Sequence, residues 1–582
     1  MRGSRKTARL GPLRIGGGSP VMVQSMTNTD TRDIGATLGQ IEKLASLGCE
    51  AVRVAVLDDR AAACLKELHD KSPVPLIADI HFDYRLAIKA IEAGFEGLRI
   101  NPGNIGSRAH VDAVVDCAKA NGACMRIGVN SGSVEKDLLD KYGGPTPEAM
   151  VESCMKHVRM VEERGFGNIV LSVKSSSVLD TIACYRCLSK AADYPLHLGV
   201  TEAGSLIRGT VKSAVGLGIL LNEGIGDTIR VSLSEEPEAE IPVARELVDH
   251  FTARAGHRLI PAAEAPGFDW LHPSRRTTVA AANVGAAHVP VVITSVVPQS
   301  ADADQRPDYI YIGSTMPGQI DPEQMYIADF NALPALREAG LERVCPIYPT
   351  HAMPFIGMDT SRVKFLVLQY GTPADEYIAC LKAHPEVVVV AMTHHANPTG
   401  DQRALVHEMM AAGVTNPVVF AQMYHTDDKA AFQLAAAADM GALMIDGLTD
   451  GLWLMNEGTI ADDDIAATAF AILQAARLRV SKTEYISCPG CGRTLYDLRA
   501  TIARIKEATR DMKGLKIGIM GCIVNGPGEM ADADYGYVGA GVNRVSLYRR
   551  QECVEKNIPE EQAVDHLLAL IRKDQLNNQN QE

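Results

Sequence analysis

The chain has 582 residues, 46% of them hydrophobic and 22% charged, which is enough for several globular domains with large cores. Its net charge of −14 excludes a broad nucleic-acid-binding face, and no apolar run reaches the ~20 residues of a membrane span. Thirteen cysteines without a regular rhythm indicate reduced thiols, and the basic N-terminus lacks the apolar stretch of a secretion signal, so the reading is a cytoplasmic protein.

From the N-terminus, short Val/Ile-rich runs alternate with amphipathic helical stretches. The runs are VMVQSM (21–26), AVRVAV (51–56), PLIADI (75–80), GLRIN (97–101), CMRIGVN (124–130), NIVLSVK (168–174), LHLGVTE (196–202) and TIRVSL (228–233). Eight strands alternating with helices over residues 1–255 predict an α/β fold, a (β/α)8 TIM barrel, in preference to a doubly wound open sheet. The composition then shifts, but alternation returns in VPVVITSV (289–296), YIYIG (309–313), KFLVLQ (364–369), EVVVVAMTH (386–394), PVVFAQMYH (417–425) and ALMIDG (442–447). Residues 256–480 therefore form a second βα domain, barrel-like. A helix over Asp462–Val480 leads into residues 481–582, with a strand at 515–520, a terminal helix near Glu560–Lys573 and a polar tail, NNQNQE, expected to be disordered.

Strand parity in the first barrel carries a second message, because successive side chains point to opposite faces. Arg53, Arg99, Arg126, Lys174 and Arg230 each oppose the apolar, helix-covered face of their strands, with Asn130 and Ser232 on the same side. Five converging cations repel one another unless carboxylates or an anion lie among them. Internal pairing is the plainer reading, but Asp79 and Glu202 supply only two partners, and Glu202 needs a strand-end bulge to turn inward. The sharper reading is a small polyanion, most simply a diphosphate, bound where barrel enzymes hold substrates.

The last domain contains Cys488-Pro-Gly-Cys491 and, after a strand, Cys522 followed by the Gly526-Pro527-Gly528 turn that returns Glu529 toward it. Three thiols and a carboxylate in turns read as a metal site. Zinc would want a fourth Cys or His, so an iron–sulfur cluster is preferred to a zinc ribbon. Cys184-x-x-Cys187, in contrast, falls in a helix and reads as packing. The insertion lacks converging cations; His351, His394, His395 and His425 lie at its strand ends, and it reads as a structural spacer.

The runs VQSMTNTDTRD (23–33), ADIHFD (78–83), LRINPGN (98–104), RIGVNSGS (126–133), SVKSS (172–176), TEAG (201–204), SCPGCGR (487–493) and GCIVNGPGEM (521–530) closely resemble the 4-hydroxy-3-methylbut-2-enyl diphosphate synthase family, in its three-domain form with a middle insertion. The resemblance implies an oxidoreductase of the methylerythritol phosphate route to isoprenoids, which opens and dehydroxylates 2-C-methyl-D-erythritol 2,4-cyclodiphosphate. It implies a 4Fe–4S cluster on Cys488, Cys491, Cys522 and Glu529, fed by ferredoxin or flavodoxin. Arg53, Arg99, Arg126, Asn130, Lys174, Arg230 and Ser232 would hold the cyclodiphosphate, Glu202 would supply a proton, and Asp79 and His81 would line the same mouth. A homodimer is the arrangement in which two-domain members close; the insertion is expected to let one chain close on itself. The rival reading is a pterin- or phosphosugar-binding barrel with a structural zinc ribbon. A scaffold or iron-sensing regulator leaves the inward cations without a purpose.

Overall fold

The computed structural model describes residues 4–101, 104–175, 177–200, 206–296, 305–488, 494, 496–523, 526–530 and 532–579, the backbone alone at 206–208 and 577–579. The chain divides into two compact units, Met1–Phe251 with Lys482–Glu582, and Thr252–Ser481.

The first unit opens with a hairpin that sequence reading passed over, β1 (Thr7–Leu10) and β2 (Leu13–Gly16). Eight parallel strands follow: β3 (Met22–Met26), β4 (Ala51–Ala55), β5 (Leu76–Asp79), β6 (Gly97–Ile100), β7 (Cys124–Asn130), β8 (Ile169–Lys174), β9 (His197–Gly199) and β10 (Thr228–Arg230). They pair in the order β8-β7-β6-β5-β4-β3-β10-β9, and a bridge between Leu171 and Leu196 joins the two end strands into a ring. Each strand's outward face is apolar because a helix covers it. The helix Pro147–Glu162 is typical: Thr146 caps it by accepting from the Ala149 N–H at 3.3 Å, and Pro147 supplies a preset first turn. Its buried stripe, Met150, Cys154, Val158 and Val161, recurs every three or four residues.

Inside the ring, the lowest layer is apolar. Met22, Ala51, Ile77, Cys124 and Val170 pack on Ala8, Leu10 and Ile15 of the hairpin, which seals the floor of the barrel. The polar residues of the same strands lie above this layer.

The second unit is a closed parallel barrel of β11 (Val291–Thr294), β12 (Tyr309–Gly313), β13 (Met325–Asp329), β14 (Val344–Tyr348), β15 (Lys364–Leu368), β16 (Val387–Ala391), β17 (Val418–Tyr424) and β18 (Gly451–Asn456). Its interior is filled by Tyr309, Ile327, Phe365, Val388, Val390, Val419 and Trp453. Three of these strands, β13, β14 and β18, are absent from the sequence reading, and ALMIDG is not a strand. It closes the helix Lys429–Ile445, which is buried on almost every side. The helix expected over Asp462–Val480 ends earlier, at Ala475.

The last hundred residues form a sheet in the order β19 (Glu484–Ser487), β20 (Lys516–Met520), β21 (Tyr535–Gly541), β22 (Arg544–Arg549) and β23 (Glu552–Pro559). The first three strands are parallel and the last two antiparallel. Helices Leu498–Ala508 and Glu560–Gln579 pack Ile502, Ile505, Leu567 and Ile571 on one face of it. The terminal helix runs into the polar end as far as Gln579, and residues 580–582 lie outside the described residues. Among the described residues no helix is long and apolar enough to cross a membrane.

Candidate active site

The barrel gathers the five cations. Asp79, Arg99 and Arg126 stand side by side in register on β5, β6 and β7. Arg53 and Arg99 lie 3.9 and 3.7 Å from the same Asp79 oxygen, and His81 Nε2 is 3.2 Å from its other oxygen. Burial alone would push the Asp79 pKa up; Arg53, His81 and Arg99 together hold it well below the usual carboxylate range.

Arg230 is paired with a residue that sequence reading missed. Glu240 accepts from its Nε and one terminal nitrogen at 3.2 Å each, and from the Ser25 hydroxyl at 2.9 Å. Both partners are buried. Glu240 is one of four glutamates between 235 and 240, and such a run reads as the solvated start of a helix.

Arg126 and Lys174 make no ion pair among the described residues, although Asp79 acts on Arg126 through space. The Arg126 Nε is buried with no hydrogen bond among the described residues. Burial, then Arg53 and Arg99, press the Arg126 pKa well below its ordinary value. Lys174 is lowered in the same way by burial and by Arg53, Arg126, Arg230 and Arg99. Buried cations of this kind are stabilised by an anion brought among them. Ser232 is buried beyond the end of β10. Asn130, level with Lys174, is engaged in the turn after β7, where its side chain accepts from the Ser133 N–H.

A second residue emerges from the structure alone. His197 on β9 is fully buried, its Nδ1 against the Thr228 hydroxyl and its Nε2 without a hydrogen bond among the described residues. Burial first, then Arg126, Lys174, Arg53 and Arg230, drive its pKa well below 6.5, so the imidazole is neutral. Its parity in LHLGVTE, on the face opposite Leu196 and Leu198, is the signal that points to it.

The cysteine-bearing turns lie at the C-terminal edge of the parallel strands β19 and β20, where α/β sheets hold ligands. The Gly521 N–H donates to Cys488 Sγ at 3.2 Å. A Cβ on Gly521 would sit 3.4 Å from that sulfur and 2.9 Å from the Thr494 hydroxyl, so glycine keeps the space beside the thiol open. Burial first, then Cys488, Tyr537, Glu560 and Cys522, raise the phenol of Tyr496 well above its ordinary pKa. Glu529 ends the short turn Gly526–Glu529 and is half-buried. Thiols in turns at a sheet edge, one of them accepting a backbone N–H, are of the kind that suits an iron–sulfur cluster. Cys491 and Glu202 lie outside the described residues. Among the described residues no three Cys, His, Asp or Glu side chains group as a metal site. Cys184 is packed in the helix Val178–Ala191, as its position suggested.

The two halves of this unit meet at the barrel mouth. Gly528 lies against Gly132 in the turn after β7, with a Cβ on Gly132 only 2.7 Å from the Gly528 Cα. The Ser234 and Ser487 hydroxyls are 2.8 Å apart, Lys212 reaches Glu484 at 3.4 Å, and Arg499 reaches Glu236 at 2.7 Å.

Comparison with known proteins agrees with this architecture. Residues 5–245 match the GcpE TIM-barrel domain and residues 484–573 the GcpE protein C-terminal domain. The chain is 47% identical to the 4-hydroxy-3-methylbut-2-en-1-yl diphosphate synthase (flavodoxin) of Bacteroides thetaiotaomicron, covering 97% of both chains. It is 46% identical to that of Phocaeicola vulgatus, over 97% of this chain and 96% of the other. A shorter match, 67% identical over 246 residues, links it to the enzyme of the same name from Lawsonia intracellularis, covering 42% of this chain and 68% of that one. A barrel lined with cations, a cysteine-bearing α/β domain against its mouth and these relatives lead to one conclusion: the chain belongs to the GcpE family of 4-hydroxy-3-methylbut-2-en-1-yl diphosphate synthases.

Proposed function

We propose that this protein reductively opens 2-C-methyl-D-erythritol 2,4-cyclodiphosphate to (E)-4-hydroxy-3-methylbut-2-enyl diphosphate and water in isoprenoid biosynthesis. Flavodoxin is the electron donor, as the names of the relatives indicate for them. The observation that carries the reading is the approach of the Gly526–Glu529 turn to the mouth of the cation-lined barrel, through Gly528 and Gly132.

Arg126 and Lys174, with no ion pair among the described residues, are the natural partners of the diphosphate, and Arg53, Arg99 and Arg230 complete the clamp. Preset by Asp79 and Glu240, the arginines spend little order when substrate arrives. His81 and Asp79 fix the rim beside Arg53. Two electrons and protons turn one cyclodiphosphate into product and water: one C–O bond to phosphate opens the ring, and the hydroxyl on the neighbouring carbon leaves as water. Glu202 supplies the proton that makes that hydroxyl a leaving group. Cys488, Cys491, Cys522 and Glu529 would hold a 4Fe–4S cluster, which supplies single electrons and a Lewis-acidic iron when bound. Contacts of Ser234, Glu236 and Gly132 with the last domain exclude water from the mouth. The same contacts, made within one chain, support closure without a second subunit and leave the insertion, residues 256–480, as a spacer.

Anaerobic purification followed by iron, sulfide and zinc analysis and a turnover assay with reduced flavodoxin tests the reading. Brown protein with about four irons per chain that converts the cyclodiphosphate supports it. Colourless protein with one zinc and no turnover returns the zinc-ribbon rival. Mixing a Lys174→Ala chain with a Cys522→Ser chain tests closure: activity restored in the mixture means that the site is shared between subunits.

A further inference from the structure

Glycine inside a short parallel strand is costly unless something else needs the space. Gly199 is such a residue. It sits in β9 in register with Arg230, whose side chain faces the cavity, so its own missing side chain would face there too. Its φ is not in the left-handed region, and so the backbone does not require glycine. The neighbours do. A Cβ at this position would lie 2.8 Å from the Lys174 ammonium, 3.1 Å from its last carbon and 3.3 Å from the Arg230 carbonyl. Lys174 thus runs across the bare backbone of Gly199, and its head lies too close to leave room for a β-carbon. The same device recurs at Gly128 on β7, where a Cβ would meet the Arg99 Nε and the Ser172 hydroxyl at 3.1 Å each.

The geometry points to Gly199 as a positioning residue for substrate binding: its missing side chain lets the Lys174 ammonium lie flat on β9 and reach the anion. The inference rests on the proposed reading of the cavity as the cyclodiphosphate site. An added methyl group meets mainly the end of a flexible chain, so it displaces the ammonium while the strand stays in place.

The test is calorimetric titration of the cyclodiphosphate into full-length, cluster-loaded enzyme without reductant, comparing wild type, Lys174→Ala, Gly199→Ala and the double variant. Lys174→Ala is expected to weaken binding roughly 10²-fold, and Gly199→Ala roughly tenfold. In turnover the Gly199→Ala loss falls on KM rather than kcat. The double variant should bind like Lys174→Ala alone, because the displaced group is gone. Normal binding by Gly199→Ala, or a full additional loss in the double variant, overturns the inference and leaves the cavity reading standing. Lys174→Ala that binds like wild type removes the cavity reading and this inference with it. If Gly199→Ala fails to fold, thermal melting of the double variant decides. Recovery shows that the clash runs through Lys174; continued unfolding assigns it to the Arg230 carbonyl and overturns the proposal.

Discussion

Gly132 and Gly528 meet backbone to backbone, 396 positions apart in the chain, with no room between them for a β-carbon. No side-chain rotation relieves a methyl group placed there. Gly528→Ala should therefore hold the Glu529 turn away from the barrel mouth. Turnover should fall about 10²-fold, since small misplacements of reacting groups cost that much, while cyclodiphosphate binding and iron content stay at wild-type levels. Steady-state kinetics with calorimetry and iron analysis check this; unchanged turnover would remove the contact from the working enzyme.

Glu240 is the hidden counterion. Glu240→Ala leaves Arg230 buried and alone, and frees the Ser25 hydroxyl and the Leu233 N–H as well. Breaking a buried pair in this way costs roughly 3–5 kcal/mol. Denaturant unfolding of the barrel measures it, and a loss below about 1 kcal/mol, the surface-pair range, would show that the pair is solvated in solution.

Lys174 gives the barrel a pH signature. Folded, its pKa lies well below the 10.5 of the free side chain, through burial and the surrounding Arg53, Arg126, Arg230 and Arg99, with neutral His197 adding no charge. Between the folded value and 10.5 the unfolded chain holds more protons, so the destabilisation from this group is full below the folded value and fades as pH rises through that window. Lys174→Met should flatten that slope in unfolding experiments at successive pH values. Binding of the dianionic substrate should restore the proton, seen as a binding enthalpy that varies with the ionisation enthalpy of the buffer.

Leu10 closes the barrel floor from outside the strand sequence. It is buried, and its Cδ1 occupies the space that a Cβ on Gly97 would take. Leu10→Ala opens a cavity there and should cost roughly 2–5 kcal/mol of barrel stability by denaturant unfolding, with substrate affinity unchanged because the cations lie a layer above.

The alternation of apolar runs and helices made the first barrel legible and five of the second barrel's eight strands, and parity set all five cations on the inner face of the first. What escaped the pattern did so for physical reasons. β14 contains Pro346, which reads as a break in a strand although a barrel accommodates it. β18 opens on Gly451, directly after the turn formers Thr449 and Asp450. ALMIDG is apolar without helical periodicity because its helix is buried all round. Glu240 and the hairpin depend on contacts made across the fold, Ser25 with Glu240 and Leu10 with Gly97, which no local pattern reports. Within the candidate site, the Cys488–Gly521 contact was foreshadowed by turn residues, whereas Gly199 is one glycine among 50 until Lys174 is seen lying on it.

The plug formed by β1 and β2 turns the first barrel from a tube into a cup. Everything that enters has to leave over one rim, including the water released with each product molecule. That rim is also where the Glu529-bearing segment rests, through Gly528 on Gly132. Exchange over a covered rim is a mechanical step, distinct from electron delivery or bond breaking.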